Sequence, residues 1–241
     1  MALKRLDKLL ADMGIASRSE LKDIIKSGRV TVDGKAICLP DAKFDSEKCD
    51  IALDGRSLNV QKFRYYMMDK PAGVLSVTED RKQSTVLDLL PIEQQRMGLF
   101  PVGRLDKDTS GLLILTNDGD FAHKVISPKS GIDKIYLAIV DGEPDAEDVR
   151  AFEKGIVLKD GTKCLPAKLE LLGPGRCLVT VMEGKYHQVK RMLASRGKPV
   201  LELRRLAVGE LELGDSLGPG GFVELIESDL CKVLKGFVME K

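Results

Sequence analysis

Two stretches of this 241-residue chain concentrate side chains that could do chemistry. The first is Gly103-Arg104-Leu105-Asp106-Lys107-Asp108-Thr109-Ser110-Gly111, which runs straight into Leu112-Leu113-Ile114-Leu115-Thr116 and the turn Asn117-Asp118-Gly119. An apolar run of this length bounded by turn residues reads as a buried strand. Polar groups on a loop anchored by such a strand are held where binding and catalytic residues tend to sit. Arg104 and Asp106 are two residues apart, a spacing that puts both side chains on one face of an extended backbone. Asp106 and Asp108 can also act as plain turn residues that accept from their own backbone amides. The second stretch, residues 185–205, holds seven Lys/Arg against one Asp/Glu. Together they offer a carboxylate on a fixed loop with basic partners available.

Other chemistries find no support in the residues. There is no Gly-x-x-x-x-Gly-Lys-Ser/Thr phosphate loop, no Gly-x-Gly-x-x-Gly and no Gly-x-Ser-x-Gly elbow. The five cysteines are scattered without a Cys-x-x-Cys pair, and the two histidines, His123 and His187, lack ligand spacing. We therefore expect no metal site and no disulfide framework. With 43% hydrophobic and 31% charged residues the chain should fold around a sizeable core. No apolar run approaches a membrane span, and the opening residues lack the apolar centre of a signal peptide, so a cytoplasmic location is expected.

The elements that must position these groups can be read along the chain. Leu6, Leu9, Leu10 and Met13 follow the spacing of an amphipathic helix that ends at Gly14. Ser17 and Glu20 form a capping box for a second helix that stops at Gly28. Val30–Ile37 reads as a hairpin, because Asp33-Gly34 accepts the positive φ of a type I′ turn. Residues 1–60 thus form a small unit, with a linker at Leu58–Lys62 and a larger domain over 63–241.

In the larger domain we expect strands at Phe63–Asp69, Gly73–Val77, Lys134–Asp141, Ala167–Leu172, Arg176–Met182, Val200–Leu203, Val208–Leu213 and Phe222–Leu225. Helices are expected at Thr85–Leu90, Phe121–Ile126, Ala146–Lys154 and Tyr186–Arg196, with a last one capped by Ser228. Strands outnumber helices and tight turns join several of them. That pattern predicts an α+β fold, a mostly antiparallel mixed sheet flanked by helices.

Charge is uneven on a chain of net +1: residues 1–36 hold eight Lys/Arg against five Asp/Glu, while 37–61 hold three against five. Two basic patches on a near-neutral chain suit a nucleic-acid footprint, and equally suit solvated helix faces. The first helix pair carries Lys4, Arg5, Lys8, Arg18, Lys22, Lys26 and Arg29. Two short helices leading into a hairpin, with these cations on them, resemble the S4-type RNA-binding domain over Lys4–Asn59.

The larger domain resembles the catalytic domain of the RsuA-type pseudouridine synthases. The motif Gly103-Arg104-Leu105-Asp106 with Thr109-Ser110-Gly111-Leu112-Leu113 is joined, in order, by Lys70-Pro71-x-Gly73, Lys134-x-Tyr136 and Glu183–Met192. The resemblance implies an enzyme that isomerises a uridine in ribosomal RNA, most simply the small-subunit (16S) RNA. Large-subunit RNA, or a non-catalytic role as an RNA-binding assembly factor, are its rivals. It implies no cofactor; a monomer is expected, with ribosomal RNA, free or in a partly assembled subunit, as its partner.

Residue roles follow from the same resemblance. Asp106 would be the nucleophile or ion-pair partner that opens the base–sugar bond. Tyr136 would stack on the base and help remove its ring proton. Lys190 would pair with Asp106 and keep it ionised, since a nearby cation lowers a carboxylate pKa by about 1–3, and Arg191 could take that part instead. Arg104 would stack into the space left by the extruded base or, alternatively, pair with Asp106. Lys185 and Arg191, with Arg5, Lys8, Arg18, Lys22, Lys26 and Arg29, would hold the RNA. His187 is expected to be a structural residue in the first turn of its helix.

Overall fold

The computed structural model describes residues 3–45, 48–58, 61 and 63–239. Part of the expected linker, Asn59, Val60 and Lys62, lies outside the described residues. The chain forms two compact units: Met1–Arg64 with Leu87–Phe100 and Met239–Lys241, and Tyr65–Val86 with Pro101–Val238. One cut near residue 61 was expected; the chain instead gives Leu87–Phe100 to the first unit.

In that first unit, helices Leu6–Asp12 and Arg18–Lys26 bury Leu6, Leu9, Leu10, Leu21 and Ile25 against Val30, Val32 and Ile51. The Ser17–Glu20 capping box forms as expected, with Glu20 N–H donating to Ser17 Oγ and Ser17 N–H donating to Glu20 Oε2. A four-stranded sheet runs in the order Lys35–Ala36, Val30–Val32, Ile51–Leu53, Arg56–Ser57. Asp33 and Gly34 take φ of 49° and 77°, as the type I′ turn requires. The helix expected at Thr85–Leu90 does not form; a short one begins after Pro91, at Ile92–Gln95. Proline cannot continue a helix but presets φ for its start.

The second unit is built on a sheet whose main path runs Lys168–Gly173, Arg176–Val181, Lys134–Val140, Val200–Val208, Ser110–Thr116, Tyr65–Lys70, Phe222–Glu224. Neighbours along this path are antiparallel, except that Val200–Val208 and Ser110–Thr116 are parallel. Helices Ala146–Lys154 and Gln188–Ser195 lay Phe152, Val189, Met192 and Leu193 on one end of the sheet, against Val179, Val181 and Leu203. At its other end Tyr65, Phe121 and Phe237 pack edge to face. Asp118 caps the helix Gly119–Ile126 by accepting from the backbone N–H groups of Asp120 and Phe121, and its second oxygen accepts from the Tyr65 hydroxyl. Among the described residues no helix is long and apolar enough to cross a membrane.

Four sequence expectations change in this unit. Gly73–Val77 is a loop with a single bridge, Leu75 to Thr85. The strand expected at 208–213 shrinks to Leu211–Glu212, and the neighbour on which it folds back, expected at 200–203, runs nine residues, Val200–Val208. Its Arg204 and Arg205 looked like a break but find partners: Arg204 pairs with buried Asp69 at 2.8 Å, and Arg205 Nε donates to the Leu112 carbonyl at 2.7 Å. Ser228 lies inside the last helix, Glu227–Val233, whose N-terminal amide at Ile226 donates to Asp229. His187 precedes its helix, in the left-handed region at φ 47°.

Candidate active site

The loop 104–109 owes its shape to the strand before it in space, Tyr65–Lys70. All six residues of that strand are buried, Lys70 completely. Lys70 Nζ donates to the carbonyl oxygens of Pro71 (2.9 Å), Asp106 (3.2 Å), Lys107 (3.3 Å) and Thr109 (2.8 Å). Three N–H bonds shared among four carbonyls turn the backbone of the loop around one buried cation. Burial pushes this ammonium down to about 8, while Asp108 and Asp106 work the other way. Gly73 N–H donates to the Lys107 carbonyl, and the Ser76 hydroxyl both donates to the Leu105 carbonyl and accepts from the Leu105 amide. The strand that follows is pressed so closely on Val200–Val208 that a Cβ on Gly111 would lie 2.2 Å from the Arg205 carbonyl oxygen. Only glycine fits there.

The Asp106 carboxylate emerges from this cage part-buried. Lys190 Nζ lies 3.5 Å from its Oδ2 and His187 Nε2 lies 3.5 Å from its Oδ1. Lys190 also donates to Asp108 Oδ1, and this hydrogen bond holds Asp108 below the usual carboxylate range. One ammonium therefore bridges two carboxylates of the loop. Arg191 points elsewhere, to Asp160, so the alternative that it replaces Lys190 at Asp106 fails. Among the described residues the basic side chains within 4 Å of the Asp106 carboxylate are Lys190 and His187; Arg104 is exposed and makes no such pair.

A cleft of about 420 Å³ joins Asp106 to Arg104, Tyr136, Lys185, His187 and Leu203. Tyr136 lies half-buried on the strand Lys134–Val140, with the Arg205 guanidinium carbon 5.9 Å from its ring centre and Arg205 Nη1 3.4 Å from its hydroxyl. A cation over the ring face fixes its orientation. A second cavity of about 520 Å³ shares Arg104, Tyr136, Glu183 and Gly184 with the cleft and is lined further by Ile114, Val125, Val208, Lys134 and Arg205.

The 183–190 segment is positioned by Glu183. This buried carboxylate accepts from the Leu165 amide at 2.9 Å and the Gln188 side chain at 2.8 Å, and pairs with Lys185 at 2.8 Å. Burial acts to raise its pKa, but the Lys185 contact and these hydrogen bonds outweigh it and leave it below the usual range. Glu183→Ala should cost about 2–4 kcal/mol in denaturant unfolding, because two donors are left buried and unpaired. Glu183→Gln, which keeps an acceptor in place, should cost less.

Lys134, buried and donating to the Ile132 carbonyl at 2.8 Å, is pushed down to about 8 by burial and then by the charge of Arg205. An unfolded lysine titrates near 10.5. Below pH 8 both states are protonated and this group gives no pH dependence. Between about 8 and 10.5 the unfolded chain holds the extra proton, so stability rises with pH across that window. Relative to Lys134→Met, the wild type should therefore gain on the order of 3 kcal/mol from pH 7.5 to 10.5, read from urea midpoints. A difference independent of pH would contradict this.

In the first unit the expected RNA-facing cations divide into two sets. Arg5 donates twice to the fully buried Asp7, at 3.0 and 2.8 Å, Arg18 lies 3.5 Å from it, and Arg29 is held twice by Asp54. The Arg5 guanidinium holds Asp7 below the usual carboxylate range. Part of that charge is thus spent on organising the unit. Lys8, Lys22 and Lys26 are exposed on the two helices.

Residues 64–195 match the model of the RNA pseudouridylate synthase family, and residues 4–38 match that of the S4 domain. The chain belongs to the RNA pseudouridylate synthase family. Such enzymes are isomerases, and this pseudouridylate synthase is similar along nearly its whole length to others. An RNA pseudouridine synthase of Bacillus subtilis, YtzG, is 43% identical over 230 residues, 94% of this chain and 96% of that protein. The ribosomal small subunit pseudouridine synthase A of Escherichia coli is 38% identical over 234 residues, 95% of this chain and all of that one. A crystal structure of a pseudouridylate synthase superposes with a TM-score of 0.68 at 31% identity, covering 96% of this chain and all of that chain.

Within the synthase fold, sequence reasoning passed over the groups that build the site from beneath. Lys70 and Glu183 enter the sequence reading only within motif blocks, and His187 only as a structural residue. A lysine two residues beyond the apolar run Tyr65–Met68 and followed by proline is a signal that could have marked Lys70, since such a charge must be paired when buried.

Proposed function

We propose that this pseudouridylate synthase converts one uridine of small-subunit (16S) ribosomal RNA to pseudouridine. The observation that carries the site assignment is the Asp106 carboxylate, on a loop whose backbone carbonyls Lys70 holds, faced by Lys190 and His187 at 3.5 Å on a cleft shared with Tyr136. In the reaction the N1–C1′ bond breaks, the freed base turns, C5 bonds to C1′, and the C5 proton leaves while N1 gains one. Asp106 acts on the base–sugar bond, and Lys190 balances its charge. Tyr136 stacks on the base and takes part in removing the ring proton, and Arg104 occupies the place of the extruded nucleotide. Lys185 and Arg191 hold phosphate beside the cleft. Lys8, Lys22 and Lys26, with the free edges of Arg5, Arg18 and Arg29, give the S4 domain its salt-sensitive grip.

The preference for small-subunit RNA is supported by the full-length likeness to relatives named for that substrate, 38% identical in Vibrio cholerae as in Escherichia coli. The protein works as a cytoplasmic monomer without metal or cofactor, on free RNA or an assembling subunit. The test is to incubate it with unmodified transcripts of both ribosomal RNAs and map pseudouridine at nucleotide resolution. One modified position in the small-subunit RNA is expected. Modification confined to the large-subunit RNA would overturn the substrate assignment, and RNA retention with no modified position in either would favour the assembly-factor role.

A further inference from the structure

Tyr186 stands out among the side chains around the cleft. Its residue is 76% exposed, yet its ring lies flat on the His187 imidazole, with centroids 3.9 Å apart and planes 17° from parallel. His187 in turn sets Nε2 3.5 Å from the Asp106 carboxylate. The tyrosine is thus the outer member of a stack whose inner member touches the reacting group. Lys185, paired with Glu183, precedes it in the chain, and Arg191, paired with Asp160, reaches back to the Tyr186 carbonyl at 3.4 Å. One ring face is spent on histidine, and much of the side chain is left to solvent beside cationic groups.

Single exposed aromatics need no explanation as such. This one is already ordered by its stack, so a flat partner would dock on it at little further entropic cost. Nucleobases are the flat partners an RNA brings to this spot. The target uridine must leave its own stack to reach Asp106, which also strips its neighbour of a stacking partner. An aromatic ring held one nucleotide's reach from the carboxylate replaces that lost stack, and the flanking cations meet the phosphate between the two nucleotides.

We infer that Tyr186, backed by His187, is a stacking platform for the nucleotide next to the target uridine, and so helps set which uridine is presented. The inference rests on the enzyme acting on RNA at Asp106. Because any base has a flat face, the platform contributes affinity and register and tolerates different neighbouring bases.

The test uses the full-length protein and RNA fragments carrying the mapped uridine, with 2-aminopurine or an abasic residue on its 5′ or 3′ side. On intact RNA, Tyr186→Ala should lower kcat/KM about tenfold, mainly through KM, whereas Tyr186→Phe stays within about twofold. Binding to wild type or Tyr186→Phe should quench 2-aminopurine on one side of the target, and Tyr186→Ala should lose that quenching. With the abasic neighbour on that side the wild type should fall to the level of Tyr186→Ala, and the alanine should cost nothing more. The platform is refuted if Tyr186→Ala matches the wild type on intact RNA, or if it costs the same on the abasic RNA. Dissociation constants and quenching are measured beside turnover. A wild type that binds and quenches without converting the uridine would overturn the catalytic assignment and leave the platform standing; one that converts it without either aromatic signature would do the reverse.

Discussion

Replacing Asp106 by asparagine should abolish isomerisation, by about 10³-fold or more, while RNA binding changes by no more than a few-fold. Asparagine keeps the size of the side chain and can still accept from Lys190, so the loop, held through its backbone by Lys70, Gly73 and Ser76, should stay in place. What is lost is the negative charge between Lys190 and His187 and any capacity to act on the base–sugar bond. On the proposed reading the S4-domain and cleft-rim cations carry binding, so it should be nearly indifferent to one carboxylate. Release of tritium from C5 of labelled RNA measures the first quantity and filter retention the second. If Asp106→Asn retained a tenth of wild-type activity, the chemistry would have to lie with another group.

The second large effect falls on stability. Lys70→Met should lower the free energy of unfolding by about 3–5 kcal/mol, because the carbonyls of Pro71, Asp106, Lys107 and Thr109 lose a common donor where water does not replace it. Methionine roughly fills the space, so the loss is polar and not a cavity. Urea unfolding gives the number. The surviving folded enzyme should also turn over more slowly, since the backbone that aims Asp106 has lost its centre. A variant within about 1 kcal/mol of wild type would show that the four carbonyls are satisfied in some other way.

Much of the site was legible through the family resemblance. Asp106 and Lys190 are 84 positions apart in sequence, and matching both to one motif set placed them together; the structure brings them to 3.5 Å. Arg104 and Tyr136 line the same cleft. The second partner of Lys190, Asp108, was not foreseen, because local chemistry offered it an equally good future as a turn residue. The hairpin at Asp33-Gly34 was read from the positive φ that its turn demands. Asp54-Gly55, with φ of 51° and 78°, carries the same signal in a second hairpin that went unread.

What stayed hidden depends on tertiary partners. Arg204 and Arg205 interrupt an apolar pattern and look like a strand break; the strand continues because Asp69 and the Leu112 carbonyl wait for them from other strands. Lys70 and Lys134 look like solvent-facing ends of strands, and are instead buried onto carbonyls. The histidine at 187 was expected inside a helix, where it would point along the helix face. A left-handed backbone just before the first turn swings it to Asp106 instead, and no local pattern announces that conformation for a non-glycine residue.

The most direct measurement is tritium release in multiple turnovers from small-subunit RNA labelled at C5 of its uridines, with enzyme well below RNA. The structure predicts release that levels off at one tritium per RNA molecule with the wild type and none with Asp106→Asn. RNA held on the filter by the wild type while the label stays in the uracil rings would contradict it.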